Sequence, residues 1–79
     1  MSPAEIDRVL RTLLQGGSKT TSDYHAGERR SWYYDPETER FIHRTQSLSH
    51  DDMHIRYTEV EMRSKLADQS FEWWSDALR

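Results

Sequence analysis

Seventy-nine residues with a net charge of −3 make one domain, residues 1–79, and leave no room for a second. Nine aromatic side chains, three of them Trp, exclude a disordered chain although charged residues are nearly as frequent as hydrophobic ones. The chain has no Cys, no apolar run near the ~18 residues of a membrane span, and an apolar stretch at Ile6–Leu14 broken by Asp7, Arg8 and Arg11, so a cytoplasmic protein without a membrane role is expected.

The first predicted element is a helix over residues 3–15. Ser2 is a natural N-cap, Pro3 suits the first helical position, and Glu5 completes a capping box. Ile6, Val9, Leu10, Leu13 and Leu14 follow the spacing of one apolar stripe, and Gly16-Gly17 ends it. Residues 18–28 are polar and read equally as a loop or as a short edge strand through Thr20, Thr21 and Tyr24. A hairpin spans 29–46, with Asp35-Pro36-Glu37-Thr38 supplying the chemistry of a type I turn. A third strand fits 53–57, where Met53, Ile55 and Tyr57 alternate with His54 and Arg56. Thr58-Glu59-Val60-Glu61 is a second capping box leading into Met62, Leu66 and Ala67, and Ser70 caps a stripe of Phe71, Trp74 and Leu78. The predicted fold is α+β: an N-terminal helix, a three-stranded antiparallel sheet (hairpin 29–46 plus strand 53–57), and one or two C-terminal helices.

The run Tyr33-Tyr34-Asp35-Pro36-Glu37-Thr38-Glu39-Arg40-Phe41-Ile42 resembles the Tyr-Asp hairpin of the YD-repeat shell proteins. That family's pattern puts Gly where Glu39 stands, at the left-handed residue of a type I turn with a bulge. The resemblance covers ten residues, does not recur along the chain, and implies a hairpin but no function.

Enzyme chemistry is not expected, and neither is a metal or other cofactor. His50, Asp51, Asp52 and His54 crowd five positions, yet His50 and His54 converge on an ion only in a helix, and the segment reads as a loop entering a strand. Ser49-His50-Asp51 holds the residue types of a catalytic relay, but sequence neighbours cannot form one. Gly16, Gly17 and Gly27 match no phosphate-binding loop. So short a chain also has little volume for a substrate-burying pocket of ~300 Å³ or more.

Binding is what remains. A strand cannot bury both Tyr33 and Tyr34, or both Phe41 and Ile42, on one face, and Trp73 and Trp74 diverge by about 100° on a helix. One member of each pair therefore needs cover from elsewhere, supplied within the monomer if helices sit on both sheet faces, or by a partner, or by a homodimer. Residues 51–79 hold seven acids against four bases, which favours a basic partner surface. The leading expectation is a non-enzymatic protein-binding inhibitor that occludes an enzyme, toxin or defence complex, in the manner of immunity or phage anti-defence proteins. Its expected contact residues are Trp32, Tyr33, Arg40, Arg44, Glu72, Trp73 and Asp76. The alternative is a nucleic-acid-binding or regulatory protein using the Arg and aromatic side chains of residues 29–44. Glu28, Asp35, Glu37 and Glu39 in the same hairpin weigh against it.

Overall fold

Both ends of the first helix are closed by local chemistry. In α1 (Pro3–Leu14) the Ser2 hydroxyl accepts from the Glu5 amide at 3.3 Å, and the Glu5 carboxylate accepts from the Ser2 amide at 2.8 Å. At the other end Gly16 takes φ +92°, which lets the Gly16 amide reach the Leu13 carbonyl and the Gly17 amide reach that of Thr12, at 3.0 and 2.9 Å. This is a Schellman cap, and its left-handed residue is why glycine is needed there. Ile6, Val9, Leu10 and Leu13 are buried, whereas Leu14, expected in the same stripe, is exposed at the helix end.

The computed structural model describes residues 1–23, 25–48, 52–76 and 78–79. After α1 come β1 (Lys19–Asp23), β2 (Glu28–Asp35), β3 (Arg40–Ser47), β4 (Met53–Tyr57), α2 (Glu59–Ala67) and α3 (Phe71–Ser75). The strands form one antiparallel sheet in the order β1-β2-β3-β4. The expected three-stranded sheet is thus four-stranded. The added strand is β1, a polar segment whose only buried residue is Lys19. It joins the sheet through backbone pairing, from Lys19 opposite Trp32 to Asp23 opposite Glu28. The C-terminal segment is two helices, capped by Thr58 and Ser70.

The β2–β3 turn is closed by Asp35, whose carboxylate accepts from the Glu37 amide and the Thr38 hydroxyl, both at 3.0 Å. Glu39 adopts φ +56°, the left-handed conformation in which the resembling hairpins carry glycine. A non-glycine residue there costs on the order of 1 kcal/mol.

All three helices pack on one face of the sheet. Their buried residues Val9, Leu10, Leu13, Met62, Leu66 and Trp74 form one cluster with Trp32 and Phe41, flanked by Tyr34 and Tyr57. Strand alternation then assigns Arg29, Ser31, Tyr33, Ile42, Arg44, His54 and Arg56 to the opposite face. The arrangement with helices on both faces is not found: among the described residues, no helix covers that second face.

Candidate binding surface

The helix-free face is built in cross-strand rows. Tyr33, Ile42 and Arg56 lie side by side across β2, β3 and β4, and Ser31, Arg44 and His54 form the next row. Thr20 continues the second row onto β1, within 3.5 Å of the Ser31 hydroxyl. Ile42 is only 2 % exposed although no helix reaches it, because it sits between the cross-strand neighbours Tyr33 and Arg56. The rows therefore give a flat surface on which the half-buried Tyr33 ring and the guanidinium groups of Arg44 and Arg56 lie over a buried Ile42.

The charge on this surface is more one-sided than the hairpin sequence suggests. Glu28 falls on the helix-bearing side of β2, where it pairs with Arg30 at 3.1 Å, and Glu37 and Glu39 belong to the turn. Of the hairpin's acids, only Asp35 shares the open face, opposite Arg40. Arg44 forms a two-pronged ion pair with Asp52, with Nε 2.8 and 2.9 Å from the two carboxylate oxygens. This pairing holds the Asp52 carboxyl below the usual carboxylate range and raises the Arg44 guanidinium, mainly through the shared hydrogen bonds. Arg29 and Arg56 have no ion pair among the described residues, so their charge is available to a partner.

The expected contact residues divide among three places. Trp32 is a core residue. Its ring stacks on His43 at 4.0 Å and 9°, meets Trp74 edge-on at 5.3 Å and lies 5.9 Å from Tyr57, which removes it from the surface. Tyr33 and Arg44 stand together on the open face, while Arg40 turns its guanidinium onto the Thr38 and Glu39 carbonyls at the turn, at 3.5 and 3.2 Å. Glu72, Trp73 and Asp76 sit on or just after α3, on the helix-bearing side by β1. Trp73 is 45 % exposed, with the Lys19 ammonium 4.5 Å from its ring centre, and that buried ammonium donates to the Asp76 carbonyl. The α3 residues and the open face cannot meet one flat partner surface at once.

Other signals fare differently. The pairs split between faces as strand and helix geometry demands: Tyr34, Phe41 and Trp74 pack in or against the core, Tyr33 and the buried Ile42 lie on the other face, and the exposed Trp73 meets Trp74 edge-on at 5.5 Å. The acids of the C-terminal third are partly engaged locally, Glu61 in the Thr58 capping box and Glu59 with Arg63 at 3.7 Å. Of the crowded histidines and aspartates, His50 and Asp51 lie outside the described residues. Among those described, no three His, Asp or Glu side chains stand close enough to hold an ion. No described helix is long and apolar enough to cross a membrane. Sequence reasoning missed Arg56 and His54 as members of the surface. The parity of β4 against β3 was the signal that would have found them.

No protein-family model matches this chain, and no match was found among the curated proteins or the solved structures compared.

Proposed function

We propose that the chain is a non-enzymatic, cytoplasmic protein-binding module that acts by stoichiometric occlusion of a partner, as immunity proteins and phage anti-defence proteins do. One observation carries this reading: a sheet face without helical cover among the described residues, on which Tyr33 lies over the buried Ile42 among Arg29, Arg44, Arg56 and His54. Tyr and Arg dominate interface hot spots, because each offers a large contact area and a polar group that fixes orientation. The partner surface that complements this face is acidic, with an apolar contact for the Tyr33 ring. The α3 group of Glu72, Trp73 and Asp76 is a separate, secondary surface in this reading.

Chemical cross-linking in the cell of origin, followed by intact-mass measurement, tests the proposal. A discrete one-to-one complex is expected. The double variant Tyr33→Ala, Arg29→Glu should lose it while staying folded, and Trp73→Ala should retain it. No discrete complex, or one lost only with Trp73, would overturn the assignment.

A second reading has its own support. The segregation of Glu28, Glu37 and Glu39 away from the open face removes much of the cancellation that argued against nucleic acid. Arginines and a single Tyr on an open sheet suit an unpaired strand. Oligonucleotide affinity that falls steeply with added salt would favour this reading over the protein partner.

A further inference from the structure

The two edges of the sheet are finished differently. At the start of β1 the Arg79 amide donates to the Ser18 carbonyl at 3.0 Å and the Ser18 amide donates back to Arg79, so that edge begins with a closed pair. The Lys19 ammonium ties the following residue to α3. At the other edge, β4 has β3 on one side and, among the described residues, no strand on the other. Four of its five residues are exposed, including Met53 at 61 % and Ile55 at 45 %. A free strand edge presents unpaired amide and carbonyl groups, and most proteins blunt it with bulges, proline or inward-pointing charges. Within β4 there is no proline, and its register against β3 runs without a bulge from Met53 to Tyr57.

The side chains of β4 also carry a pattern. Met53, Ile55 and Tyr57 point to the helix-bearing side and His54 and Arg56 to the open side, so one flank of the edge is apolar and the other is polar, with the Arg56 guanidinium as its charge. α2 packs over β3 and β4, and Tyr57, the last residue of the apolar flank, lines an open recess of about 800 Å³ with Val60, Ser64 and Lys65 and with the acids Glu61 and Asp68. Val60 is exposed at its rim.

We propose that the free edge of β4 is an acceptor site for an extended segment of a partner protein in which acidic and apolar residues alternate. Backbone pairing supplies affinity in such strand addition, and the two flanks supply selectivity. The segment's apolar residues would lie against Met53, Ile55, Tyr57 and Val60, and its carboxylates beside His54 and Arg56. A second copy of the chain fits less well: pairing β4 along its full length with another β4 sets His54 opposite Arg56 twice and offers the Arg56 guanidinium no carboxylate. This site rests on the protein-binding reading above and names the form its partner takes.

Titration of the isotope-labelled chain with two eight-residue peptides tests the site by nuclear magnetic resonance. One peptide alternates Val and Glu, and the other has Lys in place of Glu. The Glu peptide should move the amide resonances of Met53 to Tyr57, slow their hydrogen exchange, and bind about fivefold more tightly than the Lys peptide. Arg56→Glu, an exposed substitution with no ion pair to lose among the described residues, should reverse that preference. Silent β4 resonances, equal binding of the two peptides, or a sedimentation mass of two chains with β4 amides already protected would each overturn the site. Loss of the cellular complex on Tyr33→Ala, Arg29→Glu with β4 silent would leave the protein-binding reading standing and remove this site alone.

Discussion

Phe41 and Ile42 are neighbours in β3, both 2 % exposed, yet they are buried by different means. Phe41 faces a helical layer, with Tyr34 at 5.0 Å and the Met62, Leu66 and Trp74 cluster around it. Ile42 faces the other way, under cross-strand side chains that are themselves open to water. The comparison separates burial that holds the fold from burial that a surface gives itself. It also accounts for a small domain without disulfides keeping one of its two sheet faces bare. A single helix-covered face gathers Trp32, Phe41 and Trp74 into one cluster, which is where the stabilising apolar area is concentrated.

The largest expected effect breaks the first kind of burial. Phe41→Ala should cost about 3–5 kcal/mol, because the fixed helical layer cannot collapse into the space left behind. A chain this short has a margin of similar size, so the variant should be largely unfolded by circular dichroism at room temperature. Ile42→Ala should cost about 2 kcal/mol, the low end for such a truncation, since Tyr33 and Arg56 are free to settle into the gap. Equal losses in urea denaturation would mean that the open face is a second core rather than a surface.

A smaller effect concerns the charge that the helix-bearing side encloses. The Lys19 ammonium is buried, donates to the Asp76 carbonyl and rests over Trp73. Lys19→Met keeps the stem's packing but removes the donor, leaving that carbonyl without its partner. The expected loss is about 1 kcal/mol, with a shift in Trp73 fluorescence as α3 loosens from β1. A gain in stability would instead show that stripping water from the ammonium outweighs its contacts.

These contrasts also mark how far the sequence could be read. α1 and the β2–β3 hairpin were legible because capping, apolar period and turn chemistry agree there, as in Ser2-Pro3-Ala4-Glu5 and Asp35-Pro36. The left-handed residue at Glu39 was legible from the position glycine takes in similar hairpins. β1 could only be offered as one of two options, because Lys-Thr-Thr-Ser-Asp carries no apolar alternation and owes its strand to β2. Trp32 was assigned to the surface because alternation along one strand shows which residues share a face but not which face the helices take. The placement of all three helices on the Trp32 side is a tertiary choice made by their combined stripes. Once it is known, the open face follows from register alone.

The smallest expected effect uses His43, which belongs to the helix-bearing face, whereas His54 is exposed on the open one. Burial against Trp32 lowers the His43 pKa, and the nearby positive charges of Arg30 and Lys65 lower it further. The folded chain therefore binds this proton less readily than the unfolded chain, whose histidine titrates near the ordinary value of about 6.5. Above that value His43 adds no slope. As pH falls below it the unfolded state gains protons first, so stability declines until the folded-state pKa is passed and then levels off. The capping carboxylates Glu5 and Glu61, held low chiefly by the Ser2 and Thr58 backbone amides, and Asp52, held low by Arg44, act in a separate and more acidic window. Their contribution is present above the usual carboxylate range and is lost as pH falls through their lowered values. His43→Gln should thus flatten the midpoint of thermal unfolding between about pH 7 and 5 while leaving the acid limb below about pH 4 intact. A slope that persists in His43→Gln would assign the loss to another group and remove His43 as the proton-sensitive point of the helix-covered face.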